Sequence, residues 1–350
     1  MTMLAERVDA VIGVDTHKHT HTAAVVAAGT GAAGEDLTVA TDLAGYAELV
    51  AMADRHPGSR VWAIEGTGGY GAGLCRFLVA RGEEVVELDR PNRPARRGGA
   101  KSDPLDAVRA AREALSREHL AQPRAGGPRA ALSVLLAARR SAVEAGTVTQ
   151  RQLHALVVAA PEQIRDRFRD RSTDAMVTTA TRLRLNAGWD VETSAYVTSL
   201  RALARRCRAL QAEAADHERG LAALVRAWRP DLLEIYGVGP IVAAVVLCAW
   251  SHPGRCRNEA AFANLAGVAP IPASSGLTTR HRLNRHGDRQ LNRAIHTIAL
   301  TRLRWDPTTR AYLDRRRAEG KTDREIKRCL KRYIARELYR RLENPPPPPT

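Results

Sequence analysis

Four carboxylates stand where together they could hold a divalent cation. Asp15 closes the apolar run VIGVD (11–15), and Glu65 closes a second, VWAIE (61–65). Asp103 and Asp106 lie three residues apart at the start of a helical stretch, so they share one face. A single acid near a helix N-terminus is ordinary and stabilising, and each of the four taken alone reads as a surface acid. Gathered at one end of a sheet, they would repel one another unless a cation sat among them. Mg²⁺ takes oxygen ligands and keeps several waters, which suits a phosphate substrate. Two such ions, about 3.5–4 Å apart, activate an attacking oxygen and stabilise a leaving one. His17, His19 and His21 follow Asp15 at alternate positions. With no other carboxylate or cysteine close by, they read as a solvated strand entry, with His17 alone placed to touch a phosphate.

The elements that would position these acids can be read from periodicity. Residues 9–15, 21–28, 35–41, 60–66 and 84–89 read as strands. Residues 43–55 and 71–82 read as helices, and a third helix starts at Asp103 after a basic, glycine-rich loop, RPNRPARRGGAKS (90–102). Three consecutive strands predict an antiparallel meander, and the strand–helix–strand units predict parallel additions. The first and fourth strands would then be parallel neighbours, and Asp15 and Glu65 would emerge at one edge.

The bulk properties bound the partners. Formal net charge is +16, and it is unevenly placed. Residues 1–110 carry 12 basic and 15 acidic side chains, whereas residues 277–341 carry 20 basic and 7 acidic. Such a one-sided, arginine-rich excess marks a polyanion site, and nucleic acid is the expected ligand. Aromatic residues are only 4% of the chain, which argues against base stacking as the main mode of binding. The five cysteines include no CxxC pair, so neither a zinc site nor a disulfide frame is expected. The opening MTMLAERVDA carries Glu6 and Asp9 where a signal peptide needs an apolar core. The longest apolar run, IVAAVVLCAW (241–250), is too short to span a membrane. A soluble protein of a reducing cytoplasm is expected.

Beyond QPRAGGP (122–128) the chain reads as long helices. Tyr196, Leu200, Leu203, Cys207, Leu210, Ala214, His217, Leu221, Leu224 and Trp228 follow alternating steps of four and three, a heptad seam. Leu132, Leu136, Val143, Leu153 and Val157 keep a poorer version. An antiparallel helical stalk is predicted, serving intramolecular packing or dimerisation equally well. Near residue 235, IYGVGP places Gly237 and Gly239 before an apolar helix. This is a helix-hairpin-helix-like turn whose backbone N–H groups could meet a phosphate, though such glycines are also plain helix breaks. The terminal NPPPPPT reads as a disordered proline tail.

An Asp on the first strand, a Glu on the fourth and a DxxD helix resemble the RNase H-like pattern of RuvC-type junction resolvases. The words GVDTHK (13–18), IEGTGGY (64–70) and KSDPLDA (101–107) are similar to those of the DEDD transposases of insertion sequences, the IS-one-ten family, which includes the pilin-gene invertases and is also described as bridge-RNA recombinases. LAGVAPIPASSG (265–276) resembles the same family's C-terminal motif, and NRHGDRQLNRAI (284–295) its basic helix start. The resemblance runs in the family's order to about residue 341. It implies an α/β plus all-α chain: an RNase H-like (RuvC-type) DEDD domain over 1–121, a helical coiled-coil linker over 122–229 and a helical C-terminal transposase domain over 230–341, with the tail at 342–350. It implies that the serine before Gly276, Ser275, is the nucleophile, although Ser274 beside it departs from the pattern.

A serine needs a base or a metal to take its proton, and the four acids supply what the sequence around Ser275 lacks. Arg280, Arg282 and Arg285 follow closely, and with Arg289 and Arg293 they are the candidate nucleic-acid contacts. The resemblance implies a recombinase that cuts and joins double-stranded DNA, donor and target, through a phosphoserine link. A non-coding RNA would guide it, and the protein would work with Mg²⁺ as a dimer or tetramer. Two other readings stay open: a metal-dependent junction nuclease using water, which needs the acids but not Ser275, and a non-catalytic architectural binder, which needs neither.

Overall fold

The computed structural model describes residues 3–88, 102–272, 281–282, 284 and 286–346. They form two compact units, Met1–Ala130 and Ala131–Thr350.

After a short 3-10 turn at Leu4–Glu6, the first unit runs β1 (Ala10–Thr16), β2 (Thr20–Ala27), β3 (Ala33–Ala40), α1 (Leu43–Asp54), β4 (Arg60–Glu65), α2 (Ala72–Ala80), β5 (Val85–Leu88) and α3 (Asp103–Ser116). The sheet order is β3-β2-β1-β4-β5. The first three strands pair antiparallel, and β1–β4 and β4–β5 pair parallel, as the element order predicts. Both faces of the central strands are covered, which is why they read as unbroken apolar runs. Ile12, Val14, Trp62 and Ile64 pack on the side of α1 and α2, with Leu49, Met52, Leu74 and Leu78. Val11, Val61 and Ala63 pack on the other side, against Ala110, Ala111 and Ala114 of α3.

The side toward α3 is the one that matters for the acids. Successive residues of a strand alternate between faces, so Asp15 follows Val11 and Gly13, and Glu65 follows Val61 and Ala63, onto the α3 face. Gly13 explains how close that helix comes. A Cβ there would meet the Ala107 carbonyl oxygen at 2.0 Å and the Ala111 nitrogen at 2.6 Å. Only a residue without a side chain admits α3 at this distance, and α3 answers with a face of alanines. Gly13→Ala must therefore push α3 off β1 and displace Asp103 and Asp106 with it. Overpacking of this kind costs about 1–3 kcal/mol. The expected result is a lower denaturant midpoint together with weaker divalent-cation binding where the variant is still folded. Full cation binding by a destabilised variant would show that α3 does not position the acids.

The boundary between units falls in the first turn of α4 (Gly127–Ala159). The second unit continues with α5 (Glu162–Arg165), α6 (Thr173–Arg182), α7 (Val191–Trp228), α8 (Pro240–Trp250), α9 (Glu259–Leu265), the two-stranded β6 (Ile271–Pro272) and β7 (His281–Arg282), α10 (Arg289–Trp305), α11 (Pro307–Ala318) and α12 (Asp323–Glu343). Helices α4 and α7 run antiparallel. Leu135 lies against Gly220, Arg139 donates to Glu218 at 2.7 Å, and Gly146 lies near Leu210.

Within the heptad seam, Leu200, Cys207, Ala214 and Leu221 are buried. The intervening buried positions are Val197, Ala204 and Val225 rather than Tyr196, Leu203 and Leu224. Around Val197 and Ala204, α6 and its preceding turn pack Ile164, Phe168, Val177 and Ala180 into the same core, so burial shifts toward them. Val143, expected in the seam of α4, is 41% exposed.

The C-terminal core wraps α8, whose Ala243, Ala244, Val246 and Leu247 pack with Phe262, Ile295, Ile298, Ile334 and Leu338. A buried ion pair borders it. The Arg229 guanidinium forks onto Asp231 at 2.7 and 2.8 Å and donates to the Arg341 carbonyl near the C-terminus of α12, where a cation complements the helix dipole. Among the described residues, no helix is long and apolar enough to cross a membrane.

Candidate active site and nucleic-acid interface

β1 and β4 pair in register from Ala10↔Arg60 to Val14↔Ile64, which puts Asp15 beside Glu65 at the carboxyl ends of both strands. α3 begins beneath them, with Asp103 and Asp106 in its first turn, where the helix dipole favours negative charge. Asp15 and Asp103 come together closely, and a third side chain joins them. The His17 Nε2 lies 3.2 Å from the Asp15 Oδ2 and 3.7 Å from the Asp103 Oδ1. One donor atom from each of the three lies within 4.8 Å of the others. Asp106 is engaged differently, accepting from Arg109 at 2.7 Å. Burial pushes the half-buried Asp15 carboxyl up. His17 opposes that shift, and the charges of Asp106 and Asp103 add to it. Carboxylates held this close against their repulsion, with an imidazole among them, form a donor set that fits a divalent cation.

The backbone at Glu65 is held on both sides. The Thr16 hydroxyl donates to the Glu65 carbonyl oxygen at 3.0 Å. Just beyond, the buried Thr67 hydroxyl donates to Glu87 at 2.5 Å and accepts from the Arg124 N–H at 2.8 Å, while the Arg124 side chain pairs with Glu87 at 3.2 Å. The word IEGTGGY therefore carries an anchor, Thr67, as well as an acid.

The histidines do not behave as one solvated group. His19 is exposed, and His17 joins the acids. His21 is fully buried and stacks on Tyr46 with ring centroids 5.8 Å apart, because it faces the α1 side of the sheet.

In the second unit the motifs LAGVAP and NRHGD clasp each other. Gly267 and Gly287 both have positive φ, and a Cβ on either would lie within 2.6 Å of the opposite segment's backbone. The Asp288 N–H donates to the Leu265 carbonyl oxygen, the Asn292 side chain donates to the Ala266 carbonyl oxygen, and the Asp288 carboxylate caps α10. This clasp borders a cavity of about 970 Å³. Arg282, Arg289 and Arg293, all predicted contacts, line one side, and Arg328, Arg332 and Arg336 of α12 line the other. Glu259 holds Arg332 and Arg336 at 3.0 and 2.8 Å. Lys331, half-buried, donates to Asn292 at 2.8 Å, and burial pushes its ammonium pKa down. The cavity's excess of guanidinium groups suits phosphate. The α12 residues went unnamed in the sequence reading, although their spacing of four, 328–332–336, marks one helix face.

Gly237 also takes a positive φ, and its turn presses on Ile298 of α10, where a Cβ would meet both side chain and backbone at 3.3 Å. This packing and the positive φ give the glycine a structural role of its own. Gly239 precedes Pro240 as the N-cap of α8, with open space before it. Ser274, Ser275, Gly276, Arg280 and Arg285, the basic loop at 90–101 and the last four residues lie outside the described residues.

Two family models match the chain. A DEDD transposase model of the IS110 type, described as Transposase, matches residues 12–160, and one described as Transposase IS116/IS110/IS902 family matches residues 230–314. Between them they cover Asp15, Glu65, Asp103, Asp106 and the clasp with Arg282, Arg289 and Arg293, whereas Arg328, Arg332 and Arg336 lie beyond residue 314. The chain is 28% identical to the insertion element IS900 uncharacterized 42 kDa protein of Mycobacterium paratuberculosis, across 87% of this chain and 89% of that one. It is 33% identical to the insertion element IS110 uncharacterized 43.6 kDa protein of Streptomyces coelicolor, across 44% of this chain and 37% of the relative.

Proposed function

Because this chain belongs to the IS110 family of insertion-sequence transposases and is a DNA transposase, we propose that it cuts and rejoins DNA through Ser275 with the help of Mg²⁺ or a similar ion held by Asp15, Glu65, Asp103 and Asp106, guided by a non-coding RNA. The observation that carries this reading is the meeting of Asp15 and Asp103 at the carboxyl end of β1, with Glu65 beside them. The mixed sheet order supports an RNase H-like, RuvC-type first unit.

In this mechanism Arg282, Arg289 and Arg293 hold backbone phosphates and orient the strand. The Ser275 hydroxyl attacks the scissile phosphorus. A Ser–O–P bond forms, the bond from phosphorus to the leaving strand breaks, the hydroxyl proton passes to a base and the leaving oxygen is protonated. A divalent cation bound by the four acids would offset the charge that builds on the phosphoryl oxygens. Rejoining reverses the steps with a new strand's hydroxyl. Base pairing in the RNA would read sequence while the protein reads shape and backbone, and the arginine-rich, aromatic-poor composition agrees with that division. The paired α4 and α7 would form a coiled-coil stalk joining subunits into a dimer or tetramer; Val134, Val148 and Val158 of α4 remain exposed for such contacts.

The test of the guide is the nucleic acid that co-purifies with the protein. A discrete RNA is expected, and RNase treatment is expected to abolish strand exchange while leaving the protein folded. Strand exchange that survives complete RNA removal would refute guidance.

A further inference from the structure

We propose that His17 is a protein donor to the cation of the carboxylate site, which makes that site a mixed nitrogen–oxygen one with a preference for Mn²⁺ over Mg²⁺. The inference rests on the reading of Asp15 and Asp103 as cation ligands and adds a ligand from outside the four acids.

Position comes first. His17 is the first residue beyond β1, and the turn that starts there brings its ring back to Asp15, where the two side chains meet at 3.2 Å. Its own N–H donates to the Thr20 carbonyl oxygen at 3.0 Å, which closes the tight turn between β1 and β2 and holds His17 over the start of α3. Distance comes second. Two donors each about 2.1 Å from one ion stand roughly 3 Å apart when adjacent and about 4.2 Å apart when opposite. The His17 Nε2 is 3.2 Å from Asp15 and 3.7 Å from Asp103, inside that range. Supply comes third. Arg109 engages Asp106, so the close donor group is Asp15, Asp103 and His17.

Two other roles for the ring give different outcomes. A charged imidazolium could stand between the carboxylates in place of the ion and leave when the ion enters. Alternatively, the ring could hydrogen-bond a substrate phosphate without touching the ion. Donation by a neutral ring nitrogen differs from both in its chemistry. Mg²⁺ selects oxygen and strict octahedral geometry; Mn²⁺ shares the liking for oxygen donors but, as a first-row transition ion, also gains from one imidazole nitrogen.

The experiment uses the full-length protein stripped of nucleic acid. Mn²⁺ binding is followed by the loss of the free ion's electron paramagnetic resonance signal. Mg²⁺ binding is followed by competition with Mn²⁺ and by the thermal shift. The chains compared are wild type, His17→Ala, His17→Gln and Asp15→Asn. His17 is exposed, so the metal-free melting temperature of its variants serves as the control for folding.

Asp15→Asn is expected to lose both ions. His17→Ala is expected to weaken Mn²⁺ binding by at least the roughly tenfold that loss of an outer-shell partner causes. Mg²⁺ is expected to weaken less, so that the preference for Mn²⁺ collapses, and His17→Gln is expected to behave like His17→Ala. Tighter Mn²⁺ binding in His17→Ala would identify the ring as a competitor of the ion and overturn the proposal. Unchanged Mn²⁺ binding with slower cleavage would move the ring to the phosphate and also overturn it. Both outcomes leave the carboxylate site standing as long as Asp15→Asn loses the ions. A wild-type protein that binds neither ion would overturn the carboxylate site and this inference together.

Discussion

Asp15→Asn is expected to lower DNA cleavage by roughly a thousandfold or more, about 4 kcal/mol of transition-state stabilisation, while leaving nucleic-acid binding and folding intact. The amide keeps the shape of the side chain, so β1 still reaches the α3 face. What is lost is a half-buried negative charge that sits with His17 and Asp103 at the mouth of the sheet. Burial disfavours that charge and Asp106 and Asp103 add to this, against the attraction of His17, so its removal relieves a net cost. The melting temperature of the variant is therefore expected to equal or exceed that of the wild type. The arginines along the cavity in the second unit are untouched, and a gel-shift titration is expected to give the wild-type affinity. End-labelled DNA incubated with Mg²⁺ or Mn²⁺ measures the cleavage rate. Cleavage at the wild-type rate by a folded variant would remove Asp15 from the chemistry and take the carboxylate site with it. An equal loss of cleavage and DNA binding would place Asp15 in substrate binding instead.

Much of the first unit was legible because its physics is local. Strands covered on both faces must be apolar throughout, and an acid that ends such a strand stands out. The order of elements then limits the sheet to few arrangements, and β1 beside β4 is the one that brings Asp15 to Glu65. Gly13 was legible only as a glycine in a strand; the helix that requires it lies about ninety residues further along the chain. His17 escaped for a related reason. A run of alternating histidines suggests one common face, but the tight turn after Thr16 ends the strand. His17 is thereby turned onto the acids, and His21, on the next strand, goes into the opposite core against Tyr46.

The second unit was legible in its helices and less so in their partners. The heptad spacing of α7 found Leu200, Cys207, Ala214 and Leu221, but a seam assumes one partner helix, and α6 adds a second around Val197 and Ala204. The glycines before α8 invited a phosphate, yet Gly237 is needed where the chain presses on Ile298. Charge counting found the basic segment. It could not say that α12 would set Arg328, Arg332 and Arg336 across a cavity from Arg282, Arg289 and Arg293, because only the tertiary fold brings those helix faces together.

Ser275→Ala is expected to abolish a covalent protein–DNA adduct, the most decisive difference between strand exchange through serine and hydrolysis by water. If the hydroxyl attacks phosphorus, cleavage must leave the protein bonded to one DNA end, and a nicked substrate should trap that species. Alanine removes the hydroxyl and leaves every arginine and carboxylate in place, so DNA binding is expected to persist while the adduct and strand exchange both fall below detection. Ser274→Ala is expected to keep the adduct, because the resemblance of LAGVAPIPASSG to the family's C-terminal motif implies a nucleophile directly before Gly276. Asp15→Asn is expected to lose it, since serine alone is a weak nucleophile that needs help with its proton. A denaturing gel with end-labelled DNA reads all four proteins side by side. An adduct that survives Ser275→Ala but vanishes in Ser274→Ala would move the nucleophile to the neighbouring residue. If the wild type cleaves the trapping substrate and no adduct forms, serine has no covalent role, and the acids at the end of β1 must be activating water.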